Sequence, residues 1–302
     1  MLTTAQLRQV AARSGARDIA NVEIDVILTY LLHLLIERGV MEHLAFKGGT
    51  MLRKMIFGPR GRLSTDLDFT CRTDISIDDL TLALLDALAQ PYRGIAFRFG
   101  KDKDWYLTDE GCAANPVCSH VENERGVKIK IQISTRERPI LPVRFTPQIE
   151  QDYFRLLGFA PADIPCLSLE EVIAEKIRAA SQRSKIRDLH DLSELAGRPM
   201  NRPVVRSLAV LKLWHGTGPG LDFETFEARI ADCDDYDVAE LRNLLRKDQE
   251  PDLAVMIRRV REGFHFLEQL SELEASLARD QGRQRRIDAE KLTGALMGAA
   301  PG

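Results

Sequence analysis

The residues with the clearest chemistry in this chain are a pair of glycines and a pair of aspartates. Gly48 and Gly49 follow a short apolar run and precede residues 50–57, a segment with the composition of a helix. Paired glycines at a strand-to-helix turn let the backbone approach a ligand, and the N–H groups at a helix start favour anions, above all phosphate. The sequence therefore predicts a phosphate-binding turn at this point.

Asp66 and Asp68 alternate with Leu67 and Phe69 in a segment typical of a β-strand. Because residues i and i+2 of a strand face the same side, the two carboxylates point together while the apolar neighbours enter the core. Carboxylates beside a phosphate-binding turn suit Mg²⁺, which takes oxygen ligands and substrate phosphates together. Taken singly, a Gly-Gly pair is usually only a turn and an Asp-x-Asp pair only a solvated strand edge. Their order and proximity favour the functional interpretation.

A second charged cluster lies far along the chain. From Lys176 to Arg187 there are five basic residues and no acidic one, and Asp188 and Asp191 follow at once. The ordinary explanation of such a run is a solvated amphipathic helix with local ion pairs.

Both clusters sit inside longer motifs. The first runs Phe46-Lys47-Gly48-Gly49-Thr50-x-Leu52 and then Arg62-x-Ser64-x-Asp66-Leu67-Asp68-Phe69; the second runs from Glu175-Lys176 into Arg187-Asp188-x-x-Asp191-Leu192. Together they resemble the AbiEii/AbiGii toxin nucleotidyltransferases, a group of the polymerase-β nucleotidyltransferase superfamily that includes the MenT-like toxins. Two separated matches in the right order are much harder to obtain by chance than one. The resemblance covers residues 20–195.

The resemblance implies an α+β fold and a two-domain division. We expect a polymerase-β-type nucleotidyltransferase core with a mixed sheet over residues 1–160, and an all-helical domain over residues 161–302 that completes the active-site cleft. The implied reaction transfers a nucleoside monophosphate from an NTP to an acceptor hydroxyl, with Mg²⁺ or Mn²⁺ as cofactor. The implied catalytic residues are Asp66 and Asp68, which also hold the metal, with Lys176 and Asp188; the implied nucleotide-binding residues are Lys47, Gly48, Gly49, Thr50, Arg62 and Ser64.

Some roles stay open within this resemblance. Lys176 would hold nucleotide phosphates as a point charge. Asp188 would either orient Lys176 or act as a base toward the attacking hydroxyl, and Asp191 would be either a helper or a surface residue. The superfamily commonly places a third carboxylate on a neighbouring strand, where this chain has Lys130 and Gln132. An amide oxygen is a weaker ligand than a carboxylate, so the sequence does not decide between one metal ion and two.

The resemblance also implies partners. The chain looks like the toxin half of a bacterial toxin–antitoxin or phage-defence pair, with a cognate antitoxin, and MenT-like relatives modify the 3′ end of tRNA and so block translation. Basic clusters at Arg53, Lys54, Arg60 and Arg62, and from Lys176 to Arg187, are predicted to grip an RNA acceptor by its phosphates. Three alternatives remain: a small-molecule acceptor such as an antibiotic, a protein hydroxyl, or a non-catalytic binding protein that keeps the fold.

Composition limits the class of protein. The chain has 302 residues, 44% of them hydrophobic and 29% charged, as is ordinary for a soluble globular protein. A formal net charge of -3 gives no global attraction to nucleic acid, so a polyanionic partner needs a local basic surface. Five irregularly spaced cysteines favour free thiols in a reducing cytoplasm. The most apolar run, residues 24–36, contains Asp25 and is too short to span a bilayer, so we expect no membrane association.

The elements that must position these residues follow from hydrophobic periodicity. Residues 22–38 are predicted as a helix that covers the sheet, and residues 127–134 alternate cleanly enough to predict one continuous strand. The proline-rich segment 139–165 is predicted as loop, with no strand beyond residue 160. Ser168 and Glu171 predict a capped helix that carries Lys176. A single helix is predicted for residues 253–277, and a frayed tail from Gly282.

Overall fold

The structure is a computed structural model that describes residues 1–100, 104–108 and 110–299. Its backbone divides into two compact units. The first comprises Met1–Pro139, Val143–Cys166 and Arg242–Glu250; the second comprises Ile140–Pro142, Leu167–Leu241 and Pro251–Gly302. The segment Arg242–Glu250 therefore belongs to the first unit, although the residues on both sides of it belong to the second.

The first unit begins with helices whose ends are set by local chemistry. Its helices are α1 (Thr4–Ser14), α2 (Ile19–Glu37), α3 (Gly48–Met51) and α4 (Ile77–Leu88), and α3 continues as a π-helix over Leu52–Phe57. The side chains of Thr3, Asp18 and Ser76 accept hydrogen bonds from free N–H groups in the first turns of α1, α2 and α4. Among the described residues, only α2 is long and apolar enough to cross a bilayer, and 61% of its apolar window is buried inside the fold.

The first unit also contains a large and a small sheet. The strands are β1 (Leu44–Lys47), β2 (Asp66–Cys71), β3 (Ala96–Arg98), β4 (Trp105–Thr108), β5 (Gly111–Ala114), β6 (Val117–His120), β7 (Asn123–Lys128), β8 (Lys130–Ser134), β9 (Arg144–Thr146) and β10 (Ile164–Cys166). The large sheet has seven strands in the order β4-β5-β8-β2-β1-β10-β9, and the small sheet has the order β3-β6-β7. β2 runs parallel to β8 and β1 runs parallel to β10, while the other pairs are antiparallel. The predicted mixed sheet is confirmed.

The strand predicted over residues 127–134 is wrong as one element. It is two strands in two different sheets: β7 pairs with β6, and β8 pairs with β2 and β5. The break falls at Ile129, whose N–H donates to the carbonyl of Pro116 at 3.0 Å. Ile129, Ile131 and Ile133 are all buried. The alternation therefore continues across the break and hides the change of partner strand.

Most of the proline-rich segment 139–165 is irregular, as predicted, but the prediction that it is loop throughout is wrong. It contributes β9 and β10, and β10 lies between β9 and β1 in the large sheet. Pro165 lies in the middle of β10 and pairs with Phe145. A proline argues against an interior strand because it has no N–H to donate. A strand of three residues needs few such donors, so the sequence signal was misleading here.

Eight helices follow β10 within the described residues. They are α5 (Leu169–Gln182), α6 (Ile186–Ala196), α7 (Arg202–His215), α8 (Phe223–Ala231), α9 (Val238–Leu244), α10 (Leu253–Phe264), α11 (Glu272–Ala278) and α12 (Arg286–Ala299). In the second unit α5 packs against α6 and α7, and α6 packs against α10. Ser168 caps α5 as predicted, and Val172, Ile173 and Ile177 are buried. The helical C-terminal region confirms the predicted α+β class.

Two predictions near the C-terminus are wrong. The single helix over residues 253–277 is broken after Phe264 by a 3₁₀ turn, and α11 starts anew because Ser271 and Glu274 form a capping box. The tail from Gly282 does not fray throughout but forms α12. Ala289, Leu292 and Leu296 recur at helical spacing on α12 and are buried.

Candidate active site

The large sheet places Asp66 and Asp68 on one face, as predicted from their alternation. Both are half-buried, whereas Leu67 and Phe69 between and beside them are fully buried on the opposite face. In the sheet register Asp68 lies beside Lys47 of β1. The two carboxylates therefore share their surroundings with the end of the strand that leads into the glycine turn.

Gly48 lies directly against Asp68. Its φ of +80° is one that residues with a side chain rarely adopt, and a Cβ added there would collide with Asp68 Oδ2 and lie 2.9 Å from Asp68 Cβ. α3 begins at Gly48, and Lys47, which precedes it, makes no side-chain capping hydrogen bond. The turn thus combines the start of a helix with a close approach to a carboxylate.

Gly49 is enclosed by two other predicted site residues. A Cβ added to Gly49 would lie 2.5 Å from Arg62 Nη2 and 3.2 Å from Ser64 Oγ. The Ser64 hydroxyl donates to Asp66 Oδ1 at 3.1 Å. The structure therefore brings Arg62 and Ser64 to the glycine turn and links Ser64 to the aspartate pair.

Thr50 is also at this turn, but its hydroxyl is already engaged. The side chain is buried and donates to the backbone carbonyl of Asp66, which fixes α3 against β2. A contact between Thr50 and a bound phosphate stays a prediction.

The two positions considered for a third carboxylate hold Lys130 and Gln132. Gln132 pairs with Asp68, and Lys130 pairs with Asp66, so both side chains share the face of the aspartates and both are exposed. Residues 1–100, 104–108 and 110–299 contain no group of three or more His, Cys, Asp or Glu side chains that could hold a metal. Two carboxylates and an amide oxygen fit one hard divalent cation that completes its shell with other oxygens, such as those of phosphate.

Lys176 and the two later aspartates form a second buried cluster, in the second unit. Lys176 Nζ lies 2.8 Å from Asp188 Oδ1 and 2.7 Å from Asp191 Oδ2, and Arg183 Nε lies 2.8 Å from Asp188 Oδ2. Burial raises the pKa of the Asp188 carboxyl, but the charges and hydrogen bonds of Lys176 and Arg183 outweigh it and hold that pKa below its ordinary value. Asp191 is buried, so it is not a surface residue. Its sequence signal was its place three residues after Asp188 on one helix face.

Part of the predicted RNA-binding surface is wrong. Arg53 and Lys54 are both buried in the first unit, where their charges are paired with Asp25. Lys54 Nζ also donates to Thr29 Oγ1 at 2.9 Å and to Tyr153 Oη at 3.0 Å. These residues tie the π-helix to α2 and cannot contact phosphates of a bound RNA.

The other predicted basic residues differ in their exposure. Arg62 is buried at the glycine turn, and Arg60 is exposed. In the second cluster, Arg183 and Lys185 are exposed while Lys176 is buried. Only some of the basic residues predicted from the sequence can therefore contact an RNA.

Comparisons with known proteins agree with this fold. A profile of the family described as nucleotidyl transferase AbiEii toxin, type IV TA system, matches residues 29–285. A solved structure of MenT4, a nucleotidyltransferase toxin from Mycobacterium tuberculosis H37Rv, superposes with a TM-score of 0.79 at 26% sequence identity, covering 98% of this chain and 100% of that one. A comparison with curated protein sequences finds no match.

Two Helicobacter pylori structures are more distant. A candidate nucleotidyltransferase gives a TM-score of 0.48 at 19% identity, covering 80% of this chain and 94% of that one. JHP933 gives 0.45 at 16% identity, covering 89% and 97%. The family profile and the likeness to MenT4 lead to one conclusion: the chain belongs to the AbiEii nucleotidyltransferase toxin family, a family of type IV toxin–antitoxin systems.

Proposed function

We propose that this protein transfers a nucleoside monophosphate from an NTP to the hydroxyl at the 3′ end of tRNA, releasing pyrophosphate. The observation that carries the proposal is the convergence at one sheet face of a glycine turn, an arginine, a serine and two aspartates. A helix start and a guanidinium are suited to bind phosphate. Nucleotidyl transfer depends mainly on such positioning and on charge neutralisation.

Each residue at the glycine turn has a role in the proposal. Gly48 and Gly49 let the triphosphate reach the first N–H groups of α3, and Arg62 and Lys47 supply positive charge beside them. Ser64 donates either to phosphate or, as in this structure, to Asp66. Thr50 holds α3 against β2. These contacts orient the triphosphate relative to the acceptor.

Asp66 and Asp68 are the residues that would hold a divalent cation, Mg²⁺ or Mn²⁺. When bound, such an ion neutralises charge on the phosphates and fixes their orientation. The two carboxylates lie on one face of the sheet, and Leu67 and Phe69 fill the core on the other.

Lys176 and Asp188 are proposed to take part in transfer. Support comes from the second motif and from the geometry of the cluster, in which Asp188 and Asp191 both hold the Lys176 ammonium. Because the carboxylates already fix the position of the lysine side chain, little further entropy is lost when its ammonium binds a phosphate. Asp191 is then a positioning residue for Lys176.

Membership of a toxin family supports the proposed acceptor and the proposed partner. Transfer to tRNA would block translation, which suits a toxin, and toxins of type IV systems imply a cognate antitoxin. The cytoplasm, which holds both NTPs and tRNA, is the proposed location.

The proposal is tested by incubating the purified protein with each labelled NTP and total tRNA. We expect label at the 3′ end of tRNA, and loss of transfer by far more than tenfold, about 1.4 kcal/mol, in Asp66→Asn and Asp68→Asn. Asp74→Asn is the matched control, because Asp74 is a fully exposed aspartate of the same unit. Transfer by either site variant within tenfold of wild type would refute the assignment. Label on protein or on a small molecule instead of tRNA would refute the acceptor.

The metal is tested separately by calorimetry. Because the described residues offer no third carboxylate, we expect Mg²⁺ to bind measurably only when a non-hydrolysable NTP analogue supplies phosphate oxygens. Micromolar Mg²⁺ affinity without nucleotide would show that the two carboxylates suffice.

A further inference from the structure

A row of paired residues runs from the aspartate pair to the edge of the large sheet. Asp68 of β2 pairs with Gln132 of β8, Gln132 pairs with Ala113 of β5, and Ala113 pairs with Tyr106 of the edge strand β4. Directly paired residues of neighbouring strands project from the same face of a sheet. Tyr106 therefore projects from the face that carries Asp66 and Asp68.

The neighbours of Tyr106 in β4 project from the other face. Trp105 pairs with Ala114 and Leu107 pairs with Cys112, and both partners are buried beside the apolar residues of β8. Tyr106 is 40% exposed and Leu107 is 44% exposed. Tyr106 and Leu107 are thus about equally exposed, but they project from opposite faces of the sheet. Of the two, Tyr106 lies on the face that carries Asp66 and Asp68.

The chemistry along the row suits a nucleic-acid strand. Ala113, which lies between Gln132 and Tyr106 in the row, projects only a methyl group and is itself buried, so an RNA strand would contact the row at Gln132 and at Tyr106 but not between them. Gln132 offers an amide, and exposed Lys130 lies beside Asp66 on the same face. Proteins that bind single strands combine positive charge along the backbone with aromatic rings on which bases stack.

The distance from Asp68 to Tyr106 determines which nucleotide of an acceptor RNA would lie at Tyr106. Three strand-to-strand steps of about 4.8 Å place the Tyr106 Cα about 14 Å from the Asp68 Cα. Stacked nucleotides rise about 3.4 Å each, so this span corresponds to about four nucleotides. A base at Tyr106 is therefore several positions upstream of a 3′ hydroxyl that reacts beside Asp68.

We propose that Tyr106 is a stacking platform for a nucleobase in the single-stranded 3′ end of the acceptor RNA. This inference rests on the proposed transfer to RNA and adds the residue that holds the acceptor strand. The source of the stacked base is the acceptor and not the NTP, whose base is attached within a few bonds of the phosphates held at the glycine turn.

The test compares Tyr106→Ala with three other variants. Tyr106→Phe keeps the ring, Tyr106→Val removes it with a residue that suits an edge strand, and Leu107→Ala is the matched control on the opposite face. The first measurement is binding of a short fluorescein-labelled single-stranded RNA by fluorescence anisotropy. The second is the KM for RNA and for NTP in the transfer assay, with melting temperatures as a control for folding.

We expect Tyr106→Ala and Tyr106→Val to weaken RNA binding and raise the KM for RNA by about 5- to 150-fold, with the KM for NTP unchanged. Tyr106→Phe and Leu107→Ala should stay within about twofold of wild type. Unchanged RNA binding in both ring-deleted variants, or no RNA binding by wild type, would overturn the platform. An increase in the KM for NTP alone would assign the ring to the NTP base and overturn the acceptor assignment.

The two proposals fail separately. If wild type binds the RNA through Tyr106 but labels no RNA, the proposed transfer is wrong, and Tyr106 contacts RNA without holding an acceptor strand. If wild type labels RNA and the ring-deleted variants do so with the same KM, the transfer stands and the platform is wrong.

Discussion

Lys54 and Lys176 are both buried helical lysines paired with aspartate, yet their surroundings differ. The Lys54 side chain is 0% exposed, and its ammonium donates to Asp25 and to the hydroxyls of Thr29 and Tyr153. The Lys176 side chain is 11% exposed and pairs with Asp188 and Asp191. The first lysine is enclosed by hydrogen-bond partners, whereas the second keeps some access to solvent.

Burial and ion pairing therefore do not by themselves mark a functional lysine. Burial also raises the pKa of Asp25, and the charges of Lys54 and Arg53 outweigh it, so that this pKa too is below its ordinary value. Perturbed carboxyls therefore occur in both clusters, and access to solvent separates the structural cluster from the proposed functional one.

The largest expected effect is on stability, at Lys54. Lys54→Met leaves the Asp25 carboxylate buried and, of the cations that the structure describes around it, keeps Arg53, 3.7 Å away. We expect the free energy of unfolding to fall by about 3–5 kcal/mol, measured by urea denaturation. The double variant Lys54→Met with Asp25→Asn removes the uncompensated charge and should recover part of this loss. A fall below about 1 kcal/mol in the single variant would show that the pair is not a structural requirement.

The second effect is on transfer, at Lys176. If the ammonium stabilises charge on the transferring phosphate, Lys176→Met should lower kcat by about 100- to 1000-fold. Lys54→Met provides the comparison, because it should lower activity only in proportion to the unfolded fraction. The measurement is kcat on tRNA at a temperature where both variants are folded. A Lys176→Met protein that keeps wild-type kcat would remove the distinction between the two lysines.

The third effect is on the pH dependence of stability. Asp25 and Asp188 both have a folded pKa below the unfolded value of about 3.9, so each binds fewer protons when folded. Their stabilisation is therefore complete above that unfolded value and disappears as the pH falls through the folded one. Unfolding free energies measured from about pH 5 downward should fall less steeply in Asp25→Asn and Asp188→Asn than in wild type. An unchanged slope in either variant would contradict that pKa direction.

Local patterns predicted a good part of the site from the sequence. The alternation of Asp66 and Asp68 with Leu67 and Phe69 fixed which side chains share a face, because a strand has a period of two. The same reasoning held for Val172, Ile173 and Ile177 on α5, which has a helical period. The glycine turn could be located because few residues other than glycine adopt its backbone conformation.

Tertiary partners account for most of what the sequence did not predict. Arg53 and Lys54 look like surface charges because their partners are remote: Lys54 meets Asp25 and Tyr153, which lie 29 and 99 residues away. The change of sheet at Ile129 was hidden for a related reason, since hydrophobic alternation records burial and not the identity of the neighbouring strand. Asp191 is an intermediate case. Its helical spacing from Asp188 could be recognised in the sequence, but its burial depends on contact with α5.

The smallest expected effect concerns the arginines that accompany the two lysines. The Arg183 side chain is 60% exposed and pairs with Asp188, so solvent screens the pair and Arg183→Ala should cost less than about 1 kcal/mol of unfolding free energy. The Arg53 side chain is 6% exposed and donates to the carbonyls of Gly58 and Gly61. Arg53→Met removes the side-chain donor to the buried Gly61 carbonyl, whereas the Gly58 carbonyl still accepts from the Gly61 N–H, and should cost about 1–3 kcal/mol. Urea denaturation of the two variants side by side measures the difference. If Arg183→Ala proved the costlier change, the Lys176 cluster would be the one that stabilises the fold, and the roles of the two lysines would be reversed.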